Sequence, residues 1–190
     1  MPTIASHSDA RLRASEACCA LYVSRDTTDL TVAEIASAVG ISQRSFYRYF
    51  PIKAESVSPV LDWTTRTFNE AVQDAPADTP VREVLRDAFR AMLGGAVAER
   101  TRTLFPLIFA DPEMWSVFLR KVHNGERSLS PVLAPRLGLD PSSLASRASA
   151  ATVASATRLA LELMVTDGAD PEERFMQVLD TFSSGAVRTV

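Results

Sequence analysis

Between Thr31 and Pro51 the chain has room for two short helices and almost nothing else. Thr31-Val32-Ala33-Glu34 has the form of a capping box: a threonine hydroxyl can accept from an amide three residues on, while the glutamate reaches back to the threonine amide. A helix therefore starts at Thr31. It must be short, because Gly40 follows Val39 and suits the left-handed residue just past a helix end. Ser42 then stands where an N-cap belongs, a third helix is predicted from Gln43 to about Phe50, and Pro51 stops it. A short helix, a glycine-containing turn and a second helix make the helix-turn-helix pattern. Ile35, Ala36, Val39, Ile41, Phe46 and Phe50 are the apolar set that would pack it, which leaves Gln43, Arg44, Tyr47 and Arg48 outside.

The rest of the chain reads as helical too. Helical apolar spacing from Asp9 to about Ser24 predicts a first helix, after an arm of small and polar residues from Met1 to His7. Thr79-Pro80, Asp111-Pro112, Asp140-Pro141 and Asp170-Pro171 each pair an N-cap residue with proline at the first helical position, and predict four further helix starts. Another helix spans roughly Lys53 to Gln73, where Pro59 requires either a kink or a restart at Ser58. A short helix over Thr101 to Ala110 is expected to break at Pro106, and Gly94-Gly95 inside a helical pattern points to a close approach, a kink or a pocket opening. No hairpin signal and no run of period-two alternation occurs, so the fold class is all-α. The expected organisation is an N-terminal helix-turn-helix domain, 1–52, and a helical C-terminal domain, 53–190.

Composition narrows the function classes. With 46% hydrophobic and 23% charged residues, the chain has an ordinary globular balance. No uncharged stretch is long enough for a membrane span, and no basic segment followed by an apolar run opens the chain, so a cytoplasmic protein with no membrane partner is expected. The net charge is −3, yet residues 1–53 carry +1, and from Ser42 to Lys53 there are Arg44, Arg48 and Lys53 and no acid. Such a stripe on an acidic protein fits a phosphate footprint. Cys18 and Cys19 are adjacent; neighbours in one helix point about 100° apart and cannot form a relaxed disulfide, nor do they match a metal-ligand spacing. They read as packing residues, with a thiol sensor as the alternative. Only His7 and His123 are present, and no phosphate loop, nucleophile elbow or zinc-protease signature occurs, so neither an enzyme, a metal site nor a cofactor is expected.

The segment Thr31 to Lys53 closely resembles the DNA-binding signature of the TetR family of regulators. The matching features are Thr-x-x-Glu-Ile-Ala, the Gly-Ile-Ser turn, the Phe46-Tyr47 and Tyr49-Phe50 pairs, and Lys53 three residues later. A recognition helix enters the major groove with its N-terminal residues over base edges. Gln43 and Arg44 stand there: arginine can bridge guanine O6 and N7, glutamine adenine N6 and N7. Ser42, Ser45, Tyr47 and Tyr49 offer hydroxyls, and Arg48 and Lys53 charge; such groups most often bind phosphate. The resemblance implies Tyr47, Tyr49 and Lys53 as phosphate contacts. Thr31 could donate to a phosphate at the start of helix two, and Arg48 fits either role. Departing from the family pattern, the loop before helix two holds Asp26 to Asp29 where a glycine is common.

The resemblance also implies a small-molecule effector pocket in the C-terminal helices and a homodimer on double-stranded operator DNA. Candidate wall residues for a largely apolar effector are Trp63, Phe89, Met92, Phe105, Phe109, Met114, Trp115, Phe118 and Met164, with His123 as a polar contact; each also reads as ordinary core. The helix from Pro141 has one apolar stripe through Leu144, Ala148, Ala151 and Leu159 and another through Val153, Ala160, Leu161 and Met164. A helix apolar on two faces is usually buried on two sides. With the last helix, which carries Phe175, Val178, Leu179 and Phe182, it predicts a dimer bundle formed by residues of about 141–166 and 171–188. The expected function is a repressor released from a palindromic operator. The alternatives are a helical protein that responds to a protein partner, or an activator with the same DNA-binding fold.

Overall fold

The computed structural model of the chain describes the backbone of residues 4–93 and 98–185. Nine α-helices are found among the described residues: α1 (Ile4–Arg25), α2 (Val32–Ala38), α3 (Gln43–Tyr49), α4 (Ser58–Asp74), α5 (Val81–Leu93), α6 (Ala98–Ala110), α7 (Pro112–Leu133), α8 (Leu144–Asp167) and α9 (Pro171–Ser183). No described residue is in a strand, and no helix among them is long and apolar enough to cross a membrane.

Most helix starts lie where the caps require. Asp111 accepts from the amides of Glu113 and Met114 at 3.0 and 3.1 Å, and Asp170 from that of Glu173 at 3.0 Å. Ahead of α4 the chain runs as a 3-10 turn, Lys53–Val57, and the α-helix restarts at Ser58, so Pro59 lies in its first turn, where its missing N–H costs nothing. Three expectations are corrected. Helix α1 already begins at Ile4, because no glycine or proline interrupts residues 4–8 and each added residue gains a hydrogen bond; of the expected arm, Met1 to Thr3 lie outside the described residues. Pro106 does not break α6, which continues to Ala110 with a single donor missing. Asp140-Pro141 does not open α8: the Asp140 carboxylate accepts from the Ser142 amide and hydroxyl, both at 2.8 Å, and closes a local turn, so the helix begins three residues on with Ser143 as its cap. Gly94 and Gly95 lie outside the described residues.

The chain divides into two compact units, Met1–Trp63 with Thr103–Lys121, and Thr64–Arg102 with Val122–Val190. In the first, Ile35, Ala36, Phe46 and Phe50 of the helix-turn-helix and Cys18, Cys19 and Tyr22 of α1 are all at most 1% exposed, and α2 packs on both α1 and α3. Val39 and Ile41 are half-buried. A buried hydroxyl chain crosses this core: Ser15 Oγ donates to the Ser56 carbonyl at 2.5 Å, and the Tyr22 hydroxyl lies 2.9 Å from Ser56 Oγ. Burial pushes the Cys18 thiol up to about 12, so it stays protonated at neutral pH. This supports packing over redox sensing. Two ion pairs tie α7 to the segment after α3: Arg120 with Glu55, and Lys121 Nζ with both Asp62 oxygens at 2.8 Å.

In the second unit α8 packs on α9 and α5 on α9. Phe175 sits at the centre, fully buried, stacked on Phe89 at 4.4 Å between centroids and edge-on to Phe68 at 6.4 Å. The Arg136 guanidinium reaches the end of α4 and donates to the carbonyls of Val72 (2.6 Å), Pro76 (3.0 Å), Gln73 (3.4 Å) and Ala75. Of the two α8 stripes, Val153, Ala160, Leu161 and Met164 are buried, whereas Leu144 is 81% exposed.

The end of α1 explains the departure at Asp26. The Asp26 amide bonds the Val23 carbonyl and the Thr27 amide the Tyr22 carbonyl, both at 3.2 Å, which is the two-bond helix ending that needs a left-handed residue. Asp26 is that residue, with φ of 51°, the only positive φ among the described non-glycine residues. A side chain there is strained, and an acid at a helix C-terminus opposes the dipole. Asp26→Gly is therefore expected to raise the unfolding free energy by about 1 kcal/mol. An unchanged or lower midpoint in urea denaturation would show that the strain is not felt.

Candidate DNA-binding surface

The helix-turn-helix is fixed by its caps. Thr31 Oγ1 accepts from the Glu34 amide at 3.3 Å, and Glu34 Oε2 accepts from the Thr31 amide and hydroxyl at 2.8 and 2.7 Å. Those two bonds, the hydroxyl one first, hold the Glu34 carboxyl below its ordinary range. Helix α2 ends in a full left-handed cap: Gly40 has φ of 74°, its amide bonds the Ser37 carbonyl, and the Ile41 amide bonds the Ala36 carbonyl. Two residues later Ser42 Oγ accepts from the Ser45 amide at 3.1 Å and starts α3.

Helix α3 buries Phe46 and turns its polar side outward. Gln43, Arg44, Tyr47 and Arg48 are exposed, Tyr47 to 53%. Gln43 with Tyr47, and Arg44 with Arg48, are four residues apart and so lie on one face. Gln43 and Arg44 occupy the first turn, as a helix that reads base edges with its N-terminal residues requires. Ser45 is half-buried and tied within the helix, to Ser42 Oγ at 3.1 Å and Arg48 Nη2 at 3.4 Å. The Arg48 guanidinium lies over the Tyr49 ring, 5.1 Å from its centre. Lys53 is half-buried, and its Nζ donates to the Thr28 carbonyl at 2.9 Å, which ties the 3-10 turn to the loop before α2. A lysine has three donors, so this bond does not exhaust it.

Glu34, in the capping box, occupies both donors of Thr31. Two further features of this surface are not readable from local spacing. Thr28 receives Lys53. Arg11, on α1, donates from Nε to the carbonyl of Tyr49, the last residue of α3, at 3.1 Å. That contact joins residues 38 apart, and no motif announces it.

The candidate effector residues fall in both units. In the first, Phe105, Phe109, Trp115 and Phe118 form one aromatic cluster: Trp115 stacks on Phe118 at 5.0 Å and meets Phe109 edge-on at 5.0 Å, and Phe105 meets Phe118 at 4.9 Å. Trp63 is half-buried and Met114 fully buried. In the second, Phe89 and Met92 belong to the core around Phe175, and Met164 is 9% exposed. The His123 side chain is 62% exposed and lies 3.8 Å from Glu126. No group of acids, histidines or cysteines able to hold a metal occurs among the described residues.

A capped short helix, a left-handed glycine turn and a second short helix presenting glutamine, arginine and tyrosine define a helix-turn-helix DNA-binding regulator. Residues 16–55 match the family model described as bacterial regulatory proteins, tetR family, and residues 79–186 that of the MftR C-terminal domain. The HTH-type transcriptional regulator TcmR of Streptomyces glaucescens is 27% identical over 128 residues, which is 63% of this chain. The match spans 57% of TcmR's length. Among solved structures, FadR of Thermus thermophilus, a TetR-family transcriptional repressor in complex with lauroyl-CoA, shares the fold with a TM-score of 0.64 at 22% identity, covering 95% of this chain and 96% of FadR. The chain belongs to the TetR family of transcriptional regulators.

Proposed function

We propose that this regulator is a homodimeric repressor that binds a palindromic operator through α3 and is released by a small, largely apolar effector. The exposed face of α3 carries the DNA-binding part of the reading. Gln43 and Arg44 read bases; Ser42, Ser45, Tyr47, Tyr49 and Lys53 hold phosphates, Arg48 serves either role, and Thr31, whose amide and hydroxyl are both taken by Glu34, acts as the cap that starts α2. Residues 1–52 act as the DNA-binding domain and 53–190 as the effector and dimer domain. The dimer uses α8 and α9, and the support for this is Leu144 and Phe182, 81% and 40% exposed on helices whose opposite faces are buried. Two-fold symmetry places the recognition helices about 34–36 Å apart, and an effector that binds another spacing better weakens the complex. The aromatic cluster around Trp115 suits an apolar effector. FadR, described as a TetR-family transcriptional repressor in complex with lauroyl-CoA, supports the repressor and effector parts of this reading.

Selection of binding sites from random duplex DNA tests the reading: a palindrome with half-sites one helical turn apart is expected, and no enrichment at low salt would overturn it. On the selected site, Arg44→Ala is expected to reduce discrimination against random DNA by about 1–3 kcal/mol for each half-site. Lys53→Ala should instead weaken both duplexes alike and reduce the salt slope by about 1.8, one phosphate contact in each half-site of the dimer. Equal behaviour of the two variants would remove the base-reading role of Arg44.

A further inference from the structure

The two helices of the DNA-binding motif end in different ways. Helix α2 has Gly40, whose amide and left-handed backbone close the final turn. Helix α3 cannot end like this. Phe50 is extended at φ of −134°, its amide returns to the Phe46 carbonyl, and the next residue, Pro51, has no amide to donate. The last carbonyls of α3 therefore need donors from elsewhere in the fold. Arg11 supplies one: its Nε donates to the Tyr49 carbonyl from a half-buried position on α1. It also sets a full positive charge at the negative end of the helix dipole. The Arg48 guanidinium lies over the Tyr49 ring. A seven-residue helix with its far end held at one carbonyl has its tilt set at that point.

We propose that Arg11 is a positioning residue for operator recognition, fixing the tilt of α3 so that Gln43 and Arg44 meet base edges. It lies outside the residues, 16–55, that match the family's DNA-binding model. The inference rests on the reading of α3 as the recognition helix. It separates Arg11 from the phosphate-gripping residues: phosphate contacts act on all duplexes alike, whereas the tilt of α3 acts on the duplex whose bases fit.

The test uses the full chain as wild type, Arg11→Met and Arg11→Lys, with two duplexes: one selected by the wild type from a random pool and one of the same length with scrambled sequence. Affinity is measured across a sodium chloride series. Arg11→Met is expected to bind the selected duplex about tenfold more weakly, with scrambled-duplex affinity within twofold of wild type and the salt slope unchanged, the size of one compromised base contact. Retained scrambled-duplex binding also shows that the variant is folded. Arg11→Lys, which keeps a cationic donor, should recover most of the loss. Equal loss on both duplexes would overturn the proposal, and with a slope reduced by about 1.8 (one contact per protomer) would make Arg11 a phosphate contact. Unchanged affinity on both would overturn it as well. A wild type that does not distinguish the two duplexes would refute the recognition-helix reading itself, a separate outcome.

Discussion

Phe175→Ala is expected to lower the unfolding free energy by about 3–5 kcal/mol. Phe175 is fully buried, stacked face to face on Phe89 and edge-on to Phe68, so α9 holds α4 and α5 through one ring. Truncation leaves a void bounded by two aromatic faces that cannot collapse into it without leaving their rotamers, and it removes two ring pairs. Phe175→Leu keeps most of the volume and should cost under about 1.5 kcal/mol. Urea denaturation at a fixed protein concentration measures both, since dimerisation would make stability concentration-dependent. A loss under 1 kcal/mol for the alanine variant would show that the α5–α9 contact does not limit stability.

The second large effect is polar. Arg136→Ala is expected to cost about 2–3 kcal/mol, near the upper range for hydrogen bonds to a charged group. Its guanidinium donates to four carbonyls at and just past the end of α4, those of Val72, Gln73, Ala75 and Pro76. Some are near solvent and can rehydrate, which keeps the figure below the sum of four bonds. Arg136→Lys should recover less than half, because one ammonium cannot reproduce a planar fork over four acceptors. Equal stability of the lysine variant and wild type would show that charge at the helix end, and not the fork, is what matters.

What was legible in the sequence was local. Thr31, Glu34, Gly40, Ser42 and Pro51 specify two helices and a turn within twenty-one residues, and each acts on backbone groups no more than a few positions away. The outward face of α3 followed from the same spacing. Where two local signals competed, the outcome was hidden: Asp140 and Ser143 are both cap residues, and the carboxylate closed a turn while the hydroxyl took the helix. Contacts that cross the fold leave no periodic trace. Arg11 on Tyr49, Lys53 on Thr28 and Arg136 on α4 join residues 25 to 64 apart, and nothing in a basic residue's neighbours says which distant carbonyl it will meet. The aromatic residues of α6 and α7 were visible as apolar positions, but their assembly into one stack depends on how α6 meets α7.

The two thiols have a practical consequence. The chain has no cysteine besides Cys18 and Cys19, and both are fully buried in the compact unit of Met1–Trp63 and Thr103–Lys121. A thiol-modifying reagent or oxidant reaches them only when that unit opens around α1. The rate of alkylation is thus a clock for opening of the unit that carries the recognition helix, available without introducing a single label.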